Sequence, residues 1–455
     1  MNERRHYAIV GSGHRTTKLW APAFKRSPVK DLGDLVGICD ANPERLKAAQ
    51  RWLDFNIPVY TDFGRMLGES GCQTVIVSTP DVTHDRFITE ALERGCDVIT
   101  EKPLTTDERR LARIAEAERR TGHKVEVAFN YRYAPYATEV RRRLAEGIIG
   151  ELTAVEFQWC LDTVHGADYF RRWHRRLENS GGLLVHKATH HFDLVNWWTG
   201  AEPADVFARG SRRVYGAQAG QPAHARRCSD CAIAETCPFY WRLDDDRRLA
   251  ALFREAEHVD GYVRDGCVFD EQVDIMDTMS VSVRYQNGML LTYTLQAYAP
   301  FEGYRIQFSG TRGRLECVFP EYVVPKQELS LARRQSARVA GALEELGTPA
   351  LGHRDYDTIR LYPTFGGLRE YTVPRETAEH YGGDGRMLAS LFDDSLPDPL
   401  GHRAGTRAGA LSILIGVAAN RSIAEGRTVN LAELWPGALT ESEAAGADTA
   451  PKVGS

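Results

Sequence analysis

Several absences narrow the field. No stretch of ~18 or more apolar residues occurs in the 455-residue chain, so a membrane-spanning helix is not expected. The opening residues Met1–Gly13 lack the long apolar core and small-residue cleavage site of a secretory leader. They run directly into an apolar strand, which predicts a cytoplasmic protein whose scattered cysteines, Cys39, Cys72, Cys96, Cys160 and Cys317, are plain thiols. There is no surplus of positive charge: 57 Lys and Arg stand against 62 Asp and Glu, for a net charge of −5. A generic nucleic-acid partner needs a basic field and is therefore not expected. The one basic, aromatic run, Arg171-Arg172-Trp173-His174-Arg175-Arg176, reads as a solvated loop or as a binder of an anionic substrate group. No internal repeat is seen.

What is present is a globular balance of 43% hydrophobic and 26% charged residues, in a chain too long for one ordinary core. Its first part alternates strand and helix patterns. Strands are predicted over His6–Val10, Leu35–Cys39, Thr74–Val77, Asp97–Thr100 and Val125–Phe129, with helices over Pro43–Leu53, Thr83–Arg94 and Thr106–Thr121. Such alternation specifies an α/β Rossmann-type, doubly wound parallel sheet. Beyond about residue 150 the pattern becomes α+β, with a large, mostly antiparallel open sheet. Strands are expected at Leu152–Leu161, Thr278–Tyr285, Gly288–Ala297 and Tyr304–Ser309, with Asn287-Gly288 as a hairpin turn. Helices are expected at Gly182–Trp198 and Ala408–Ala424. The division predicted is a dinucleotide-binding domain over 1–128, a substrate and oligomerisation domain over 129–438, and a disordered tail over 439–455. Stretches near 211–268 and 324–357 look inserted.

The first strand ends in Gly11-Ser12-Gly13-His14-Arg15-Thr16, a G-x-G-x-x-G fingerprint with Thr in place of the last Gly. Gly11 suits the tight turn, and Gly13 lets the backbone approach a pyrophosphate at the helix N-terminus, with His14 and Arg15 beside it. The second strand ends in Asp40, whose carboxylate can accept from ribose hydroxyls and repels a 2′-phosphate. No Arg or Lys follows immediately, so NAD is favoured over NADP.

At Glu101-Lys102-Pro103 the chain resembles the Gfo/Idh/MocA oxidoreductases (glucose-fructose oxidoreductase, inositol dehydrogenase, rhizopine catabolism). The resemblance rests on Gly11-Ser12-Gly13, Asp40, Ser78-Thr79-Pro80 with His84, Glu101-Lys102-Pro103, Asn130-Tyr131-Arg132, and Gly181-Gly182 with His190 and Asp193. It implies a nicotinamide cofactor near Ser78, Thr79, Pro80, His84, Glu101 and Asn130. It implies that Lys102 contacts substrate and nicotinamide, and that His190 is the general base. A base, a cation for the developing oxyanion and a hydride acceptor are what oxidation of a secondary alcohol requires. The family usually has Asp where this chain has His186, and Lys187 beside it is also unusual. Either the substrate is anionic or the acid–base arrangement has changed. His186, His190 and Asp193 are spaced to share one helical face, which could also hold zinc. Tyr131, Arg132, Tyr169, Arg172, Lys187 and His191 are substrate-contact candidates, Tyr131 and Arg132 alternatively closing the domain interface, with Glu302–Arg305 and His380–Asp384 as further pocket candidates.

Cys228, Cys231, Cys237 and Cys267 lie in the insertion with knuckle-like spacing. They could close a structural zinc shell, hold an iron–sulfur cluster, or remain free thiols. The expected activity is a NAD-dependent dehydrogenase acting on a sugar or cyclitol. The alternatives are a glycosidase that uses NAD transiently and a non-catalytic NAD- and sugar-binding protein. A homodimer or homotetramer is expected from the resemblance.

Overall fold

A computed structural model describes residues 4–54, 56–217, 225–323, 356–376 and 382–435. The expected tail, most of the 324–357 stretch, and His380 and Tyr381 lie outside them.

The N-terminal half is a six-stranded parallel sheet. Its strands are β1 (Arg5–Val10), β2 (Gly33–Cys39), β3 (Val59–Tyr60), β4 (Thr74–Val77), β5 (Asp97–Thr100) and β6 (Val125–Val127), in the order β3-β2-β1-β4-β5-β6. The order reverses at β1/β4, the crevice where doubly wound sheets bind ligands. β4 is buried along its whole length, as a parallel strand covered on both faces must be. Local chemistry sets the flanking helices. The Pro43–Leu53 helix starts with Pro at its first turn and with the Asn42 side chain accepting from Glu44 N and Arg45 N. The Glu108–Thr121 helix is capped by Asp107 and stops at Gly122, which is left-handed.

The second sheet has nine strands. In chain order they are β7 (Leu152–Asp162), β8 (Pro203–Ser211), β9 (Thr278–Tyr285), β10 (Leu290–Ala299), β11 (Phe301–Gly310), β12 (Gly313–Val323), β13 (Tyr356–Pro363), β14 (Arg369–Pro374) and β15 (Val429–Asn430). They lie in the order β14-β13-β12-β11-β7-β10-β9-β8-β15, and all neighbours are antiparallel except β7 and β10. Strict alternation of buried and half-exposed residues along β9 marks a sheet with one covered face. That cover is the Gly182–His186 and Thr189–Thr199 helices and the long Thr406–Glu425 helix.

The halves are interlocked. Val127 N donates to Ala404 O at 2.7 Å, and Glu126 bridges Gly405, so the chain leading into the last long helix lies along the edge of the first sheet. Met387, Leu391 and Phe392 pack into the same core as Tyr7 and Phe24.

One expected element differs. The Gly182–Trp198 helix is broken at Lys187-Ala188, where Ala188 N bonds back to Leu183 O at 2.8 Å. His186 therefore ends one helical piece and His190 lies in the first turn of the next, rather than both sharing one continuous helical face. The His186 ring meets Tyr169, Trp173 and His174, whereas the His190 ring meets Phe129 and Tyr131.

Candidate active site

The fingerprint turn has the shape a dinucleotide needs. A Cβ on Gly11, at φ +93°, would lie 2.4 Å from Ser78 O, so only glycine lets β1 pass this close to the end of β4. A Cβ on Gly13 would meet nothing within 4 Å, which leaves bare backbone facing open space. Asp40 organises the neighbouring turn. Ser12 N and Ser12 Oγ both donate to Asp40 Oδ2 at 2.9 Å, and Asn42 N donates to Oδ1 at 2.9 Å. Although no cation follows Asp40 in sequence, Arg45 Nη1 reaches its Oδ1 at 3.2 Å from the first turn of the next helix. These groups fit a nicotinamide dinucleotide: an open glycine turn for the pyrophosphate and a carboxylate for the ribose.

The loops that follow β4 and β5 are tied together. The ring nitrogens of His84 lie 2.8 Å from Pro103 O and 3.0 Å from Thr79 O, and Thr79 Oγ1 accepts from Thr83 Oγ1 at 2.8 Å. Glu101 accepts from Arg15 Nε at 2.7 Å and from Trp20 Nε1 at 3.0 Å. Asn130 Nδ2 donates to Asp384 Oδ1 at 2.7 Å. Arg15, Glu101 and Asn130 are thus held in place by the protein, at the root of the loop that carries Lys102.

Lys102 is half-buried against the first helical piece. Its ammonium lies 3.3 Å from His186 Nε2 and donates to His186 O at 3.1 Å. His186 Nδ1 lies 2.5 Å from Asp81 Oδ2. Asp81 comes from the turn after Pro80 and has no motif to flag it; only the fold brings it here. Burial pushes Lys102 down to about 8, while Asp81 pulls it back up. Burial, then the Lys102 and Arg172 cations, drive His186 well below the usual imidazole range. His186 is therefore neutral, with Nδ1–H donating to Asp81 and Nε2 accepting from Lys102. His174, whose ring is 4.1 Å from that of His186, is also kept neutral by burial and by Arg172.

Around this core the candidates separate. Tyr131 joins the two halves of the site: its ring is 4.5 Å from His190, and its hydroxyl is 3.4 Å from Lys187 Nζ. Lys187 lies over the faces of Tyr131 and Trp159. Tyr169 faces His186, and its hydroxyl is 2.8 Å from His165 Nε2; His165 Nδ1 is 2.9 Å from Glu302 Oε1. Arg172 and Arg264 share one carboxylate, Asp168, at 3.0 and 2.8 Å. The Glu302–His165–Tyr169 chain joins β11 to the short His165–Tyr169 helix, so the link to Glu302, remote in sequence, could not be read from spacing.

Of the two roles open to Arg132, its contacts are those of an interface residue: it makes a two-pronged ion pair with buried Asp193 at 2.8 and 2.6 Å and donates to Gly401 O at 3.1 Å. Two expectations are corrected. His191 is fully buried away from the site. Its ring stacks on Trp159 at 4.0 Å, and its Nδ1 is 2.6 Å from Tyr293 OH, inside the interface of helix and sheet. The metal shell at Cys228, Cys231, Cys237 and Cys267 is not formed. Among the described residues no group of three or more His, Cys, Asp or Glu side chains is arranged to hold a metal ion. Cys228 Sγ instead accepts from buried Arg171 at 3.1 Å, and burial pushes the Cys237 and Cys267 thiols up, which keeps them protonated. Ion pairs from Arg227 to Asp265 and Glu257, with an apolar cluster of Val164, Trp241, Leu243 and Leu249, hold the insertion together.

Known proteins match both halves of the chain. Residues 5–129 match the NAD-binding Rossmann fold of the Gfo/Idh/MocA oxidoreductase family, and residues 141–431 match that family's C-terminal alpha/beta domain. The chain is 36% identical over 422 residues to YteT of Bacillus subtilis, a protein named as an oxidoreductase, covering 88% of this chain and 92% of that one. It is 30% identical over 192 residues to inositol 2-dehydrogenase 4 of Saccharopolyspora erythraea, which is 41% of this chain and 52% of that one. Its fold is similar to that of the WlbA dehydrogenase from Bordetella pertussis, solved with NADH and UDP-GlcNAcA. The TM-score is 0.61, with 18% identity, over 94% of this chain and 98% of that one.

Proposed function

The chain belongs to the Gfo/Idh/MocA oxidoreductase family, and from that premise we propose that it is a NAD-dependent dehydrogenase of a sugar or cyclitol secondary alcohol. The observation that carries the reading is the half-buried Lys102 ammonium, fixed by His186 and by Asp81 behind it, at the ligand-binding edge of the parallel sheet. NAD, when bound, supplies the hydride acceptor. Lys102 holds the oxygen of the reacting alcohol as negative charge develops on it. His190, one helical piece further on, takes the hydroxyl proton, and Tyr131 lies against its ring. His186 is a positioning residue: neutral, and tied to Asp81, it aims the Lys102 ammonium. Arg45 is engaged by Asp40 and Asp260, which leaves its charge balanced and supports NAD over NADP. Two guanidinium groups on one carboxylate at Asp168, with Lys102 and Lys187 nearby, favour a sugar that carries a carboxylate or phosphate.

A second reading, a glycosidase that uses NAD transiently, is favoured by the Glu302–His165–Tyr169 chain. It offers a separate proton acceptor for the C–H next to the oxidised carbon, as elimination of a leaving group requires. One experiment decides. The protein is given neutral and anionic sugars and cyclitols, with NAD or NADP, and both reduced nicotinamide and products are measured. The dehydrogenase accumulates reduced cofactor with an anionic sugar. Release of an aglycone without net reduction favours the second reading, and cofactor binding without any turnover refutes both.

A further inference from the structure

The cysteine-bearing insertion belongs in sequence to the C-terminal half, yet part of it docks on the dinucleotide half. Leu252 is fully buried in the same apolar core as Leu46 and Ala49 of the Pro43–Leu53 helix. Around that apolar foot lie polar ties. Asn42 Nδ2 donates to Ala256 O and to Asp260 Oδ2, both at 2.9 Å. Arg45 donates to Asp260 Oδ2 at 2.6 Å and to Leu252 O at 3.3 Å, while its other arm holds Asp40. Arg51 pairs with Glu255 at 2.9 Å. Elsewhere in the insertion, Arg248 Nη2 lies 3.3 Å from Nδ1 of His14, the residue directly after Gly13. Arg248 Nε is buried and has no hydrogen-bond partner. Burial and then the Arg248 cation push His14 well below its usual range, so this histidine adds no charge of its own.

The insertion therefore touches both landmarks of the adenosine half: the glycine turn, through His14, and the ribose carboxylate, through Asn42 and Arg45. We propose that residues 246–260 complete the dinucleotide site as a strap, with Arg248 supplying a cation to the pyrophosphate and the Asp260 ties holding the strap shut. The glycine turn offers an anion only backbone N–H groups, and a guanidinium beside it adds charge and donors. The cofactor is then gripped by both halves of the chain, and it leaves only when the Asn42, Arg45 and Arg51 ties open.

This inference rests on the nicotinamide-dependent reading but is tested without turnover. NADH fluorescence measures affinity by titration and release by stopped-flow displacement with excess NAD, using the full chain. Arg248→Ala should weaken NADH about tenfold or more, the loss of one charge-assisted contact, and Arg248→Lys should recover part of it. Asp260→Ala should speed release several-fold. Circular dichroism and the thermal midpoint confirm that each variant is folded. Folded variants that bind and release NADH as the unaltered protein does overturn the strap and leave the dehydrogenase reading standing. An unaltered protein that binds no NADH overturns both.

Discussion

Two cations, Arg132 buried and Lys102 half-buried, meet the same broken helical segment. Arg132 meets Asp193 on the Thr189–Thr199 piece, and Lys102 meets His186 on the Gly182–His186 piece. Arg132 is saturated: two parallel bonds to a carboxylate, further bonds to backbone carbonyls, and aromatic faces of Phe129 and Trp197 around it. Lys102 faces a neutral imidazole and a carbonyl, with its carboxylate one residue removed. A cation matched by a fork of oxygen atoms fixes architecture, since any ligand would have to break that match. A cation held by neutral acceptors keeps its affinity for an incoming anion.

The comparison can be broken by measurement. Arg132→Ala should cost about 3–5 kcal/mol of stability, because it strands a buried carboxylate whose pKa burial already raises. Chemical denaturation reads this, and a loss within error would make Arg132 a surface-like residue. Lys102→Ala should leave stability near that of the unaltered protein but lower kcat/KM about a hundred- to a thousandfold, the usual loss for one oxyanion donor. A smaller pH effect sharpens the contrast. Lys102 is charged below about 8 and neutral above it. Oxidation should therefore decline as pH rises through that value. Asp81 is the group that raises the Lys102 pKa most, so Asp81→Asn should move the falling limb to lower pH by about one unit. A limb that stays put would show that Asp81 acts on His186 alone.

The same contrast explains what could be read from residues alone. Gly11, Gly13, Asp40 and Lys102 sit at strand ends, where position along the chain fixes position in space. The first sheet and the cofactor turn were therefore legible. The role of Arg132 stayed open between substrate contact and domain interface because its partner, Asp193, is remote in sequence, and nothing in the local pattern marks a salt bridge. The helix break at Lys187-Ala188 was hidden because both pieces carry helical patterns; the rings of His186 and His190 find different walls only after folding. Asp81 and His165 were missed for the same reason. The cysteine spacing misled because knuckle-like gaps say nothing of where an arginine will lie, and Arg171 occupies Cys228.

The bond from Val127 to Ala404 has a consequence for how the chain is made. Synthesis runs from N- to C-terminus, so the nucleotide-binding sheet is complete in strands long before the segment that borders β6 exists. Until then the β6 backbone is an open template, the kind of edge that recruits other chains. The first domain to emerge from the ribosome is thus among the last to be finished.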